Sequence, residues 1–325
     1  MTWRSSFGKA VLVSSALILA VTAGACSRPA TQSAGDEDGP IRIAVGIDAS
    51  YAPFFVADQE GMFTDAGLDV ELVQFGRGGE AVDALSTDQV QLAGSSDTTT
   101  ISQVPQNPSL RAMYSYERSG DYLKVVLRNG VGSPAEVKTM GIVPGLSQIA
   151  TDKYLAANNV PADAVAMISA TPSDMPSLLD RGDIDGYVLW EPWPAAALDQ
   201  GTGHVAAVTG DYDFFYHHWA ITTAPWLEKN EESARTIADV IADASERVEA
   251  DPQAAAAATN TAVNVEEDQT ITAVDEIDFG VENLSDEDIH SAQSIVDFYQ
   301  NIGVLSEQPD LNATMMLDWY QEDKK

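Results

Sequence analysis

At five places in this chain an apolar run gives way to small, aromatic or polar residues whose chemistry suits gripping a ligand. Tyr51 and Pro53 follow the run Ile41 to Ile47, and Arg77, Gly78 and Gly79 follow Val70 to Phe75. Ser95, Ser96 and Thr98 follow Val90 to Ala93, Ser147 and Gln148 follow Met140 to Val143, and Trp190 and Glu191 close the run that begins at Gly186. Hydroxyls and backbone N–H groups hold sulfonate, phosphate or carboxylate oxygens without needing a formal charge. Arg77 is the expected local cation, with Arg111 and Arg118 behind it, and a carboxylate at Glu191 suits an amine or a ring N–H. His218 stands in the aromatic stretch Phe214 to Trp219, which offers a surface for a flat ligand. Each residue also has a plainer reading. The serines are natural helix N-caps, worth typically ~1 kcal/mol. Trp190 could be core, Glu191 could pair with a nearby base, and a lone arginine is often only solvated.

Bond-making chemistry finds little support in the same residues. Cys26 is the chain's single cysteine and precedes the patterned part of the sequence, so thiolate catalysis has no nucleophile there. No G-x-S-x-G elbow, Walker loop or His/carboxylate cluster at metal spacing is present. His217 and His218 are adjacent, and neighbours in a strand point to opposite faces, which argues against joint metal ligation. No enzyme activity, cofactor or metal is expected.

The elements that must position these residues follow from periodicity. Residues 41 to 98 read as strand, helix, strand, helix, strand. The strands are near-continuous apolar runs of the kind a buried parallel sheet takes, and Gly67 stops the first helical stretch. Leu110 to Tyr116 and Tyr122 to Leu127 read as two further strands, the second leading toward another lobe. A second series starts near Gly132: a strand to Val143, a helix from Ser147 to Ala157, a strand from Ala164 to Ser169, a helix from Ser173 to Arg181 and a strand from Gly186 to Trp190. In "WEPW", Pro192 is expected at the first helical position. A return crossing is expected near Tyr216 to Thr222, and the remainder from Pro225 is helical by pattern and expected on the first lobe. Parallel units of this kind present ligands beyond the strand C-termini, against helix N-termini. Two lobes joined by two crossings can close like a hinge.

Composition sets the setting. The chain has 325 residues, 45% of them hydrophobic, enough for a sizeable core. Arg4, Lys9, an apolar run from Val11 to Val21 and Ala23-Gly24-Ala25-Cys26 form a signal-peptide pattern over residues 1–25. The position of Cys26 resembles a lipobox, where the cysteine is lipidated and becomes the first residue; ordinary cleavage near Ala25 is the alternative. Residues 26–40 lack apolar periodicity and suit a flexible tether. The formal net charge is −33. Loss of a leader holding Arg4 and Lys9 and no acid leaves 15 basic against 50 acidic residues, a charge of −35. Such a body repels nucleic acid and anionic membrane surfaces.

The stretch "APFFVADQEGMFTDAGLDVELVQFGRGGEAVDAL" resembles the opening of the solute-binding proteins of nitrate, sulfonate and taurine ABC importers. The likeness continues in "VQLAGSSD", "MGIVPGLSQIATDKYLAANNV" and "LLDRGDIDGYVLWEPW", in the family's order and over most of the mature chain. It implies a two-lobed periplasmic-binding-protein-like fold of type II in the α/β class, each lobe a mostly parallel sheet flanked by helices. Residues 41–130 and 220–325 are expected to form lobe 1 and residues 131–219 lobe 2. The implied role is a monomeric extracytoplasmic lipoprotein, held to the cell membrane through Cys26, that hands a small organic solute to an ABC permease and ATPase. Taurine or an alkanesulfonate is the leading solute, and a thiamin pyrimidine precursor or other aromatic or heterocyclic solute is the alternative. An enzyme or sensor on the same scaffold is the reading of a different class. Enzymes that share the scaffold use a cysteine nucleophile or a cysteine-rich iron motif, which the mature domain lacks.

Overall fold

The computed structural model describes residues 39–320; the leader, Cys26 and all but the end of the expected tether lie outside the described residues. The strands are β1 (Ile41–Val45), β2 (Val70–Gln74), β3 (Leu92–Ser96), β4 (Leu110–Ser119), β5 (Lys124–Arg128), β6 (Thr139–Ile142), β7 (Ala166–Ser169), β8 (Gly186–Leu189), β9 (Gly203–Val208), β10 (Tyr216–Thr223) and β11 (Asp278–Asn283). The helices are α1 (Ala52–Gln59), α2 (Met62–Asp65), α3 (Gly78–Ser86), α4 (Asp97–Gln103), α5 (Leu146–Ala157), α6 (Met175–Arg181) and α7 (Trp193–Asp199). They continue as α8 (Ala224–Ala250), α9 (Pro252–Val263), α10 (Glu267–Glu276), α11 (Asp286–Asn301) and α12 (Leu311–Thr314). No helix among the described residues is long and apolar enough to cross a membrane.

Two mixed sheets organise the α/β fold. The larger runs β11-β4-β10-β3-β1-β2 and the smaller β7-β6-β8-β5-β9. In the first, β1 pairs parallel with β2 and β3, while β10 runs antiparallel between β3 and β4. In the second, β6 pairs parallel with β7 and β8, and β5 runs antiparallel between β8 and β9. The parallel strands are the apolar runs: Ile43, Ala44, Val45, Leu92 and Ala93 are almost fully buried, as a strand covered on both faces must be. Local signals set the helix ends. Gly67 takes φ +83 beyond α2, a conformation glycine adopts at little strain. The side chain of Asp251 caps α9, and Ser285 and Asp288 close a capping box on α11.

Several elements sit away from their expected places. β5 belongs to the smaller sheet and all of β10 to the larger, so the chain crosses between Ser119 and Lys124 and returns between Val208 and Tyr216. This moves the lobe boundaries earlier than the expected 130/131 and 219/220. The physical reason is that apolar runs on either side of Gly120 look alike, while only backbone pairing tells which sheet each joins. β9 and β11 were not legible. Both are edge strands with mostly exposed or half-buried side chains; β11 has no continuous apolar run, and β9 has only the short stretch Val205 to Val208. β3 starts two residues later than expected, which places Ser95 and Ser96 inside the strand. The carboxy-terminal helices lie with the larger sheet: α8 and α9 contact α1, α8 contacts β11, and α11 contacts α4.

Candidate binding site

Between the two sheets lies a cavity of about 660 Å³, lined by the turns that follow the C-terminal ends of parallel strands in both. The larger sheet contributes Asp48, Ser50 and Tyr51 after β1, Arg77 to Gly79 after β2, and Ser96 and Thr99 at the start of α4. The smaller sheet contributes Gly145 to Gln148 after β6, Thr171 to Ser173 after β7, and Trp190 and Trp193 after β8. Tyr122 from the first crossing, and Tyr216 and His218 on β10, complete the floor. Backbone amides at the starts of α3 and α5 border the space, where partial positive charge gathers.

Small residues seat the first aromatic wall. Tyr51 packs beside the rings of Tyr116 and His218, with centroids 6.3 and 5.5 Å away, and its hydroxyl donates to the Gly94 carbonyl at 3.3 Å. A Cβ at Gly94 would lie 2.8 Å from the Tyr51 ring and 2.6 Å from the Tyr116 hydroxyl, and one at Gly46 would overlap the other edge of Tyr51. The glycines in "AVGI" and "LAGSS" are therefore the room this ring requires. On the far side, Gly145 takes φ +101 and its missing Cβ would stand 3.0 Å from Thr99 Oγ1, so the two lobes touch at the cavity rim through a glycine.

The expected site residues divide. Tyr51, Arg77, Gly78, Gly79, Ser96, Ser147, Gln148, Trp190 and His218 line the cavity. Ser96 also caps α4, accepting from the Thr99 amide at 3.2 Å and donating to Thr99 Oγ1 at 2.8 Å. Ser147 Oγ accepts from the Val143 amide at 3.2 Å, which ties the strand end to the helix start. Pro53, Ser95, Thr98 and Glu191 do not line it. Pro53 is buried in the first turn of α1 and helps start that helix. Ser95 and Thr98 are fully buried beneath the wall. Glu191 turns away: Oε1 accepts from Lys124 Nζ at 2.8 Å and Oε2 from the Ala195 amide at 3.0 Å, so the pairing with a base holds instead of an amine contact. The Glu191–Pro192 peptide is cis, and Pro192 is the N-cap of α7 rather than its first residue. Arg77 stands at the exposed mouth and spends its guanidinium on Glu80, at 2.8 and 3.1 Å. Arg118 lies over the Phe215 ring at 4.9 Å, and Arg111 donates to the Pro108 and Leu110 carbonyls.

Acids that sequence reasoning did not single out gather at the floor. Asp48 Oδ1 accepts from the Ser50 amide at 3.0 Å and the Ser50 hydroxyl at 2.6 Å, with the Tyr122 hydroxyl at 3.4 Å. Behind it, His218 Nδ1 lies 2.8 Å from Glu117 Oε1, 3.0 Å from the Tyr116 hydroxyl and 3.4 Å from Ser50 Oγ. The approach to Glu117 lacks hydrogen-bond alignment, so both its carboxylate oxygens are buried without a donor. Burial pushes Glu117 up to about 7, against the pull of His218. Burial likewise raises Asp97 to about 7 and lifts Asp48 above the ordinary carboxylate range. Burial alone would lower His218, but Glu117, Asp48 and Asp97 together raise it. Ser50 and Glu117 approach the same imidazole nitrogen, so the His218 ring does not bridge this hydroxyl to this carboxylate through its two nitrogens.

Comparison with known proteins agrees with this architecture. The family model described as the NMT1-like family matches residues 105–263. The nitrate/nitrite binding protein NrtA of Synechococcus elongatus is 25% identical over 265 residues, covering 69% of this chain and 59% of that protein. The chain thus spans about three-fifths of the length of that relative. Among solved structures, the periplasmic aliphatic sulphonate binding protein SsuA of Escherichia coli superposes with a TM-score of 0.76 at 15% identity, over 85% of this chain and 97% of that one. The periplasmic nitrate-binding protein NrtA of Synechocystis PCC 6803 gives 0.71 at 16% identity, over 84% and 83%. The fold is that of the two-lobed periplasmic binding proteins.

Proposed function

We infer, for a chain similar to a nitrate/nitrite binding protein and folded like periplasmic sulphonate- and nitrate-binding proteins, that it is the extracytoplasmic solute-binding component of an ABC importer. It acts by capture and delivery, and no bond is made or broken. The observation that carries this reading is the cavity between the two sheets, bordered from both by the N-termini of helices longer than two turns. Closing the lobes on a solute replaces water at those amides with ligand oxygens, and the ligand stabilises whichever lobe arrangement it fits. The leading solute is an organic sulfonate such as taurine or an alkanesulfonate, its oxygens on the amides at Gly78, Gly79, Leu146 and Ser147. A cavity of about 660 Å³ walled by Tyr51, Tyr122, Trp190 and Trp193 would leave a bare nitrate with most of its surroundings unfilled. Those rings also favour a second reading, a flat aromatic or heterocyclic solute such as a thiamin pyrimidine precursor. Lipidation of Cys26 would hold the lobes 41–320 to the membrane through the tether, as a monomer that meets the permease.

A thermal-shift screen of the purified protein against taurine, alkanesulfonates, pyrimidines, aromatic acids and nitrate tests the reading, with scattering as the second readout. At a hundredfold excess over Kd, a native-state ligand adds about 2.7 kcal/mol of apparent stability, and the particle should compact. Stabilisation by nitrate alone, or chemical turnover of the bound solute, would remove it. In cells, Cys26→Ala should shed the protein from the membrane fraction, and continued membrane retention would remove the lipid tether.

A further inference from the structure

Among the carboxylates on the cavity wall, Glu80 and Asp83 are exposed to water, whereas Asp48 is half-buried and still has an oxygen to spare. Among the described residues its Oδ1 takes every hydrogen bond the carboxylate makes, and Oδ2 has no partner. The turn itself explains only half of this side chain. Capping the short 3-10 helix Ala49–Tyr51 requires one acceptor oxygen, used on the Ser50 amide, and an uncharged asparagine supplies the same acceptor. A carboxylate half-buried among aromatic rings is the costlier choice unless something of opposite charge visits.

Among the described residues no cation is left for Asp48 alone. The cavity wall holds Asp48, Glu80 and Asp83 against Arg77 alone, and Arg77 is already spent on Glu80. Lys124, at the start of β5, is spent on Glu191 and Glu276. His218 serves Asp48, Asp97 and Glu117 together, and its Nδ1 lies closest to Glu117. The rings of Tyr51, Tyr122, Trp190 and Tyr216 share the same space, and aromatic faces attract a desolvated cation. A chain carrying −33 draws cations toward the cleft from a distance as well.

The geometry points to a cationic nitrogen as a required feature of the solute, with Asp48 Oδ2 as its anchor within the aromatic floor. The inference rests on the solute-capture reading and sharpens it: the guest is an amine-bearing zwitterion or an organic cation, and simple oxyanions and plain alkanesulfonates are poor guests. Glu191, expected from sequence to meet the amine, is replaced in that role by Asp48.

Calorimetry with four probes separates the possibilities: taurine, ethanesulfonate, benzylamine and benzyl alcohol, each titrated into the wild-type protein and into Asp48→Asn. Asparagine keeps the capping acceptor, so the unfolding midpoint should not fall. In the wild type, taurine should bind tighter than ethanesulfonate, or benzylamine tighter than benzyl alcohol, by about tenfold or more, as expected for a charged hydrogen bond. In Asp48→Asn that preference should shrink to about threefold or less. Binding of benzylamine but neither sulfonate supports the anchor and overturns the sulfonate reading. Equal binding of ethanesulfonate and taurine overturns the anchor and leaves sulfonate capture standing, as does a preference that survives in Asp48→Asn. Failure of all four probes to bind overturns the anchor together with the small-solute reading that carries it.

Discussion

Glu117 and His218 make the most consequential side-chain pair that the binding reading leaves aside, because a carboxyl with no exposed side-chain surface sits against an imidazole that several acids share. The groups around the pair are Tyr116 beside Glu117, Tyr216 on β10, Asp48 and Tyr51 in the first turn, Tyr122 in the crossing and Asp97 at the start of α4. Burial raises Glu117 from 4.5 to about 7. Between those values the unfolded chain ionises this carboxyl and the folded chain does not, so stability falls as pH rises through the window, and the penalty is complete above about 7. His218, raised above 6.5 chiefly by Glu117 against the effect of burial, contributes stability that is present below 6.5 and lost as pH climbs through its folded value. Both effects have one sign: unfolding free energies from urea titrations should be larger near pH 5.5 than near pH 8, by about 2 kcal/mol for Glu117 alone. Glu117→Gln should flatten the dependence, and parallel profiles for the two proteins would discard the assignment. These acids were hard to read from sequence. Small, aromatic and polar residues after apolar runs announce a ligand turn, and eight of the nine expected residues that line the cavity sit in such turns; His218 comes from the aromatic stretch instead. Glu117 lies inside a strand, Asp48 looks like any turn acid, and Glu191 finds Lys124 across 67 residues of chain, a pairing that no local spacing encodes.

At the scale of elements, the two sheets are joined by more than two strands of backbone. Lys124 opens β5 in the smaller sheet, yet its ammonium reaches Glu191 at 2.8 Å and Glu276, the last residue of α10, at 2.7 Å. Glu276 is separated from β11 of the larger sheet by Ile277 alone, and its carbonyl accepts from Ser119 Oγ at 2.6 Å. The two crossings press together beside this pair: the Gly210 amide donates to the Gly120 carbonyl at 2.6 Å, and Thr209 Oγ1 donates to the same carbonyl at 3.0 Å. A Cβ at Gly120 would meet the Phe215 ring at 2.7 Å and Gly210 Cα at 3.1 Å, which is why glycine holds that position. Removing the lysine charge with Lys124→Met strands two carboxylates whose side chains are 9% and 21% exposed. The expected loss is about 3 to 5 kcal/mol in denaturant unfolding, the scale for breaking a buried pair from one side. A loss under about 1 kcal/mol would place the pair among surface bridges. The strands most readily legible in sequence include the most deeply buried ones, parallel β1 and β3 and antiparallel β4, β5 and β10, because burial on both faces leaves a run of apolar residues. The hinge was legible only as a place where something crosses, since its register depends on the pairing of β4 with β10 and of β5 with β8 and β9, strands far apart in the sequence.

The whole molecule adds a field that no single contact supplies. With 50 acidic and 17 basic residues in the chain, the negative charge spreads over helices and turns, and α11 alone begins with Asp286, Glu287 and Asp288. Like charges on a compact body repel, and the repulsion reaches as far as the Debye length, which contracts from about 30 Å at 0.01 M salt to about 8 Å at 0.15 M. The same field acts on an arriving guest, attracting a cation and repelling an anion, before any hydrogen bond forms. The association rate should therefore carry the sign of the solute's charge. Trp190 and Trp193 line the cavity, so stopped-flow tryptophan fluorescence can follow capture directly. Adding sodium chloride over that range should slow the association of benzylamine, leave a neutral zwitterion such as taurine nearly unchanged, and speed any simple alkanesulfonate that binds. The dissociation rates, set by short-range contacts at Asp48 and the helix amides, should move much less. Identical salt dependences for solutes of opposite charge would mean that the cleft is screened from the acidic surface.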